Sequence, residues 1–271
     1  MPGILWLASY PKSGNTWMRT FLANLIADSK EPLPVNKVSE ICSGEANPMW
    51  YGPAFKKPLD QVSKQEIADV RVEIQIELSR RSKNVLILKT HNCLGEYLGK
   101  PLIAMNATGA AIYIVRDPRD VAISAADHFG VSIDESIEIL AKETSKSDRA
   151  IYEVYNSWSN HVKSWTQIPH KTLMVYRYED LLEKPEETFG AISRKLGITK
   201  DEARIQRAIT HSSFKVLQKI EEEEGFTEKS RNSERFFRAG KSGQWQSVLT
   251  DKQVKQIEKD HGAQMKKFGY L

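Results

Sequence analysis

The sequence predicts an α/β fold with a central parallel sheet flanked by helices, and three observations support this prediction. Short apolar runs that end abruptly in polar residues are typical of buried parallel strands, and they cover residues 4–8, 85–88, 111–115 and 173–175. Helical patterns lie between these runs, and such alternation produces crossover units and a sheet covered on both faces. The 271 residues contain no repeat or hinge-like linker, so we expect one domain over residues 1–271.

The first helical pattern covers residues 16–27, is amphipathic and begins directly after a turn at Gly14. Within a later pattern, Trp158 and Trp165 are seven positions apart on one helix face, and we interpret them, together with Trp6, as core residues. The remaining helical patterns cover residues 65–81, 134–143, 150–165, 185–196, 201–209 and 251–268.

Two segments lack a regular pattern. Residues 31–60 are rich in Pro, Gly and aromatic side chains, and residues 221–246 are polar and begin with four glutamates. We interpret the glutamate run as a solvated face. Long loops in a compact domain are often lids or substrate walls, and plain disorder is an equally weighted alternative. Both segments are therefore candidate mobile loops next to a site.

Composition and charge narrow the function classes. The chain is 40% hydrophobic and 27% charged, which is ordinary for a globular protein. Its net charge of +4 suits an anionic ligand, but it is too weak and too dispersed to predict nucleic-acid binding. Cys42 and Cys93 form no CxxC motif and are interpreted as free thiols in a reducing compartment. The first apolar run is too short for a signal peptide or a membrane span, so we expect a cytoplasmic protein.

The residues that follow the predicted strands form an unusual set. Ligands of open parallel sheets bind beyond the carboxyl ends of the strands. The first strand is followed by residues 9–16, the second by Lys89-Thr90-His91, and the third by residues 116–120, with Ser124 one helical turn further. The fourth strand runs into residues 176–180. We therefore expect one sheet edge to bring together Lys12, Lys89, His91 and Arg116.

The first of these loops has the properties of an anion site. A strand that turns on Gly14 into a helix presents free backbone N–H groups at the helix N-terminus, and Lys12 adds a point charge beside them. The loop differs from GxxxxGK[ST], because its lysine precedes the glycine. No apolar run ends in an aspartate placed like a Walker B metal ligand. A metal-dependent nucleotide triphosphate site is therefore disfavoured, and we expect no metal.

Several motifs resemble the sulfotransferases that use 3′-phosphoadenosine 5′-phosphosulfate (PAPS). Residues 10–17 resemble the 5′-phosphosulfate loop of that family, and residues 112–124 resemble its 3′-phosphate strand and helix. Lys89-Thr90-His91 is similar to the segment with the catalytic histidine. Residues 178–181 and 212–214 look like the adenine contacts, and residues 238–245 resemble the late RxGxxGxW motif. The matches occur in family order over residues 4–245. The short length of the chain and its variant of the first loop, Pro-Lys-Ser-Gly-Asn-Thr-Trp, are interpreted as signs of a bacterial protein.

The resemblance implies a P-loop-like fold, PAPS as the donor and a role for each matching residue. His91 would take the proton of an acceptor hydroxyl as general base, Lys12 would stabilise the leaving oxygen, and Lys89 would contact the transferring sulfuryl group. The phosphosulfate and the adenine edge would be held by Lys12, Ser13, Gly14, Asn15, Thr16 and Trp17. The 3′-phosphate would be held by Arg116, Ser124, Arg238, Ala239 and Gly240, and the base would be framed by Tyr178, Ser213 and Phe214.

Some assignments stay open at this point. Trp17 could pack in the core or stack on the base, and His128 could line an acceptor pocket or be an ordinary loop histidine. Gln246 replaces a lysine that many eukaryotic members carry, and no KxxxTVxxxE dimerisation segment is recognisable near Thr250. The sequence therefore leaves both a monomer and a homodimer as alternatives for the oligomeric state.

The acceptor is the least determined part of the prediction. A small phenol or alcohol is preferred, while a sugar hydroxyl and an amine remain alternatives. Possible aromatic contacts are Trp50, Tyr51, Phe129 and Tyr155. Two rival functions use the same features: a P-loop kinase or phosphotransferase, which would need Mg²⁺, and a non-catalytic nucleotide-binding protein, which would tolerate loss of His91.

Overall fold

The computed structural model describes residues 3–238 and 240–271. In this part of the chain a parallel sheet has the strand order β2-β3-β1-β6-β7, and a small antiparallel pair joins β4 to β5. The predicted α/β fold is therefore confirmed. The strands are β1 (Ile4–Ser9), β2 (Cys42–Gly44), β3 (Leu86–Thr90), β4 (Glu96–Tyr97), β5 (Lys100–Pro101), β6 (Thr108–Val115) and β7 (Leu173–Arg177).

The helices between the strands cover both faces of the sheet. Several begin at a side-chain cap: Ser63 and Glu66 form a capping box on α4, and Thr250 with Gln253 does the same on α13. The helices are α1 (Asn15–Ala27), α2 (Val38–Ile41), α3 (Pro48–Tyr51), α4 (Lys64–Arg81), α5 (Pro118–Phe129), α6 (Ile133–Ala141), α7 (Trp158–Thr166), α8 (Tyr178–Glu183), α9 (Pro185–Leu196), α10 (Glu202–His211), α11 (Phe214–Glu224), α12 (Trp245–Val248) and α13 (Asp251–Lys267).

Strand β1 explains why its apolar run is continuous. Ile4 and Trp6 point to one face of the sheet, where they pack in a cluster with residues of α4, α5, α7 and α13. Leu5 and Leu7 point to the other face and pack with residues of α1, α9 and α10. Because side chains alternate along a strand, a strand buried on both faces must be apolar throughout. The predicted core positions of Trp6, Trp158 and Trp165 are confirmed by their burial.

The prediction of a helix over residues 150–165 is wrong in its first half. Helix α7 begins only at Trp158, where the Ser157 side chain accepts a hydrogen bond from the Asn160 amide. The preceding residues are held in a non-helical path by pairing with another segment, because Val154 N–H donates to Asn92 Oδ1 and Cys93 N–H donates to the Val154 carbonyl. These long-range bonds replace the local helical ones.

The two segments predicted to be irregular contain more structure than expected. Residues 31–60 include β2, α2 and α3, so the sheet has an edge strand that the sequence pattern did not indicate. The four glutamates at residues 221–224 form the last turn of α11. Glu221 is buried rather than solvated, and its carboxylate accepts hydrogen bonds from the backbone of Phe236 and Phe237. The solvated-face interpretation is therefore wrong for Glu221.

Among the described residues, no helix combines the length and the apolar character that crossing a bilayer requires.

Candidate active site

A cavity of about 1120 Å³ opens at the carboxyl edge of the parallel sheet. One side of it, here called the Lys12 end, is formed by the loop after β1 and the first turn of α1, together with Arg116, Ser124, Tyr178, Phe214, Arg238, Gly240 and Gln244. The other side, here called the His91 end, is formed by residues 89–91, residues 44–48 and residues 142–155. The cavity thus joins the ends of several strands, as expected for an open α/β sheet.

The loop at the Lys12 end places a helix N-terminus against the cavity. Gly14 has φ 101°, and an added Cβ would lie 2.6 Å from the Tyr178 ring, so the turn and its packing both require glycine. No side chain caps α1, and its first turn carries no acidic residue, so its N–H groups and dipole remain directed to a ligand. Asn15 anchors the loop to β1, donating to the Leu7 carbonyl at 2.8 Å.

Lys12 is held in an unusual environment. Its backbone lies in the left-handed region at φ 66°, and its carbonyl accepts a hydrogen bond from Arg116 at 2.9 Å. Its ammonium lies 4.6 Å from the centre of the Phe236 ring. Burial, followed by the charge of Arg116, lowers the pKa of Lys12 to about 8. Left-handed backbone at a non-glycine residue is strained, and such strain concentrates at functional sites.

Aromatic side chains line the same end of the cavity. Trp17 is 7% exposed, contacts Tyr178 and Phe214 edge-on, and donates from Nε1 to the Ser212 carbonyl at 2.8 Å. It also lines the cavity, so core packing and ligand contact are both compatible with its position. Gly240 has φ 57°, and a Cβ there would lie 2.4 Å from the Phe214 ring. The late glycine therefore allows its loop to approach the aromatic wall closely.

The loop that carries Gly240 and Gly243 is attached to α5 by residues whose role the sequence did not reveal. The Asp120 carboxylate accepts hydrogen bonds from the backbone of Gly243 at 2.7 Å and Trp245 at 3.0 Å. The Arg119 guanidinium lies 3.7 Å from the centre of the Trp245 ring, and Arg116 donates to the Lys241 carbonyl. Asp120 and Arg119 sit inside the motif at residues 116–120, which was the available signal. They position the loop that carries Arg238.

The protonation state of His91 follows from its hydrogen bonds. Nδ1 lies 2.8 Å from the Ser9 carbonyl, which can only accept, so Nδ1 carries the proton and Nε2 has a free lone pair. Burial, followed by the charge of Lys89, lowers the pKa of His91 to about 3. The backbone around it is also supported, since His161 Nε2 lies 3.1 Å from the His91 carbonyl. His91 is therefore a neutral base that borders the cavity.

Lys89 is paired with a carboxylate that the sequence analysis missed. Its ammonium lies 3.3 Å from both oxygens of Glu153, which is 3% exposed. The same carboxylate accepts a hydrogen bond from the His91 backbone N–H at 2.7 Å. Burial raises the pKa of Glu153, but the charges of Lys89 and His91 outweigh it and bring the value to about 2. Glu153 lay inside the predicted helix, and no local pattern marked it.

The His91 end is more polar than expected. Tyr155 and Phe129 line the cavity, but Trp50 and Tyr51 do not, because Trp50 donates to the Gly44 carbonyl and Tyr51 is buried against Glu45. His128 lies at the end of α5 and also lines the cavity. Burial and the charge of Lys12 lower its pKa to about 4. Polar and charged residues contribute much of the remaining wall: Lys142, Thr144, Ser145, Lys146, Ser147, Asp148 and Arg149.

The structure brings most of the predicted site residues to this cavity. Ser13 and Ser213 are exceptions among the described residues: Ser13 is fully buried, Ser213 precedes α11, and neither side chain lines the wall. Ala239 lies outside the described residues. The predicted residues that line the cavity are Lys12, Gly14, Asn15, Thr16, Trp17, Lys89, His91, Arg116, Ser124, Tyr178, Phe214, Arg238 and Gly240.

Within residues 3–238 and 240–271, no cluster of three or more His, Cys, Asp or Glu side chains is arranged to hold a metal ion.

Comparisons with known proteins identify the family and the fold of this chain. Residues 2–269 match the sulfotransferase domain family. Sulfotransferase 1B1 of Mus musculus is 26% identical over 267 residues, which cover 95% of this chain and 81% of that protein. Two crystal structures share the fold. Retinol dehydratase in complex with androsterone and inactive cofactor PAP has a TM-score of 0.65 at 21% identity, over 97% of this chain and 80% of that chain. Mouse sulfotransferase SULT7A1 complexed with PAP has a TM-score of 0.62 at 20% identity, and the match covers 97% of this chain and 84% of that chain.

Proposed function

Since this chain belongs to the sulfotransferase domain family, we propose that it transfers a sulfuryl group from PAPS to the hydroxyl of a small molecule. One observation carries the proposal: a neutral histidine with a free Nε2, His91, borders the same cavity as the uncapped N-terminus of α1 and the Lys12 ammonium. A base and an anion site in one cavity are the two parts that such a transfer requires.

The Lys12 end fits a donor with two anionic groups. The N-terminus of α1 and Lys12 provide for the phosphosulfate. Arg116, Ser124 and Arg238 line the same end and provide cationic and hydroxyl donors for the 3′-phosphate. The aromatic wall of Trp17, Tyr178 and Phe214 offers an apolar surface for the base. Retinol dehydratase and SULT7A1, which share this fold, were crystallised with PAP.

The reaction follows from the residues at the two ends. The acceptor oxygen forms a bond to the sulfur of PAPS, and the bond from that sulfur to the bridging oxygen breaks. Its electron pair stays on the leaving nucleotide, adenosine 3′,5′-bisphosphate (PAP), where Lys12 and the α1 dipole stabilise the charge. The acceptor proton moves to Nε2 of His91. The products are the sulfate ester of the acceptor and PAP.

The acceptor that fits the His91 end is a phenol or alcohol with polar substituents. Tyr155 and Phe129 give contact surface for a ring, while Lys142, Lys146 and Arg149 offer cations. None of these three side chains, Lys142, Lys146 and Arg149, forms an ion pair with another described residue. Arg149 and His128 both line the cavity, and the charge of Arg149, after burial and Lys12, helps to lower the pKa of His128.

Transfer of radiolabel from PAPS to a panel of phenols, alcohols, sugars and amines tests the proposal. We expect label on a hydroxyl acceptor, with excess EDTA present, because the charges at the Lys12 end come from side chains and backbone. A phosphotransferase would instead require Mg²⁺ and a nucleoside triphosphate. The proposal fails if no acceptor is labelled while the protein binds PAP, which is the result expected for a non-catalytic nucleotide-binding protein.

A further inference from the structure

The buried carboxylate of Glu153 connects the Lys89 side chain to the His91 backbone at the His91 end. It is the one described carboxylate that contacts both the Lys89 side chain and the His91 backbone. Its own position is determined by the strand-like pairing of its neighbours: Val154 is bonded to Asn92 and Cys93, and the Tyr152 carbonyl accepts from Arg71 at 2.6 Å. Glu153 is therefore a rigidly held charge, and not a side chain that can move away.

The environment of this charge makes its effect large. Glu153 is 3% exposed, so water screens its interactions weakly. His91 binds Ser9 through Nδ1 and has no carboxylate on that nitrogen, unlike a histidine that is oriented directly by an acid. Glu153 therefore supplies the negative charge that can stabilise an imidazolium at His91. Its charge favours the protonated form of His91, and the charge of Lys89 opposes that form.

We propose that Glu153 is a positioning residue that exchanges partners during transfer: it neutralises Lys89 in the free enzyme and becomes the counter-charge of His91 when Lys89 turns to the sulfuryl group. The inference rests on the proposed function. When the acceptor proton arrives at Nε2, an imidazolium forms at His91, and the carboxylate freed from Lys89 stabilises it. The Lys89 contact suits such an exchange, since 3.3 Å to both oxygens is longer than a tight charged hydrogen bond.

The kinetic test uses Glu153→Gln, which keeps an oxygen for the His91 N–H and removes only the charge. We expect kcat to fall by a factor of 10 to 100, because the imidazolium loses its counter-charge, while the Kd of PAP stays within threefold. PAP lacks the sulfuryl group and so reports the nucleotide contacts alone. Glu66→Gln is the matched control: Glu66 also accepts a backbone N–H, from Ser63, and pairs with Lys57, but it is 44% exposed and does not line the cavity. Its kcat should stay within threefold of wild type.

Two results would overturn the inference. A folded Glu153→Gln protein with a kcat within threefold of wild type would mean that the charge has no role. A parallel loss of PAP binding would mean that Glu153 only maintains the structure.

A second test needs no turnover and separates this inference from the proposed function. The His91 ring is titrated by NMR in the free protein, with its signal assigned by comparison with His91→Gln. The charged or titratable groups that face His91 are Lys89, Glu153, His161 and Tyr155. Lys89→Met should raise the pKa of His91 by one unit or more, because the opposing charge is gone and Glu153 is unpaired. Adding Glu153→Gln should reverse that rise, and an unchanged pKa between the two variants contradicts the exchange.

Discussion

The Lys12 end and the His91 end of the cavity are built in different ways. The Lys12 end combines residues that directly follow β1 and β6 with a helix N-terminus, an aromatic wall packed into the core, and Arg238 and Gly240 from a later loop. The wall of the His91 end comes largely from residues 44–48 and 142–155, and many of its side chains are exposed. Under the proposed function, the donor would bind mainly at the sheet edge, while the acceptor would meet segments that can vary without disturbing the core.

Loss of His91 should cause the largest change in activity, and it tests whether the two ends of the cavity act independently. In His91→Gln the acceptor proton has no base to receive it, so we expect kcat to fall about 10²–10⁴-fold. The Kd of PAP, measured by calorimetry, should stay within threefold, because His91 belongs to the other end of the cavity. If PAP binding weakens as strongly as turnover, the two ends are not independent and the division is wrong.

The next largest effect should appear at the Lys12 end. Arg238→Ala removes a charged donor that we assign to the 3′-phosphate, and a hydrogen bond to a charged group contributes about 1.5–3 kcal/mol, or roughly 10–150-fold in Kd. PAP should lose this affinity, and adenosine 5′-phosphate, which has no 3′-phosphate, should not. Arg235→Ala is the control, since Arg235 is exposed and pairs with Glu222 away from the main cavity. Equal losses for both nucleotides would refute the assignment.

The pH dependence of nucleotide binding tests the state of Lys12. Its pKa is lowered to about 8, so its positive charge is present below pH 8 and is lost as the pH rises through that value. We expect the Kd of PAP to rise by about a factor of two from pH 7 to 8 and then by up to tenfold per pH unit. In Lys12→Arg this rise should be absent up to pH 9.5, because arginine keeps its charge. A wild-type Kd that is flat over the same range would contradict the lowered pKa.

The smallest effect should be at the exposed wall of the His91 end. Arg149→Gln removes a cation that lines the cavity, and we expect kcat/KM for a phenol with a carboxylate substituent to fall about two- to fivefold. For a neutral phenol of the same size the ratio should not change. If kcat/KM falls equally for both acceptors, Arg149 does not interact with the charge of the acceptor.

The sequence could predict the Lys12 end because its determinants are local. A turn at Gly14, a lysine before it and an amphipathic helix after it lie within a few residues of one another. The strand-end rule then placed Lys89, His91 and Arg116 at the same edge, and the structure brings all three to the cavity.

The missed features depend on distant partners. Glu153 acts on His91 from 62 positions away in the chain, and no spacing rule connects them. Strand β2 is three residues long and exists through its pairing with β3, so no period could reveal it. The predicted helix over residues 150–165 placed Trp158 and Trp165 on one face, which the structure keeps, but Asn156 with φ 62° and the Ser157 cap start the helix later. Tertiary pairing outweighs local preference at each of these positions.

The hydrogen bond from Trp17 to the Ser212 carbonyl connects the aromatic wall of the Lys12 end to the end of α10. The same tryptophan packs on Phe189 of α9, so one residue belongs both to the wall and to the core. A ligand that binds only the folded protein adds RT ln(1 + [L]/Kd) to its unfolding free energy, about 2.7 kcal/mol at a concentration of 100 Kd. We therefore expect PAP to raise the melting temperature of the protein, by an amount that increases with the PAP concentration.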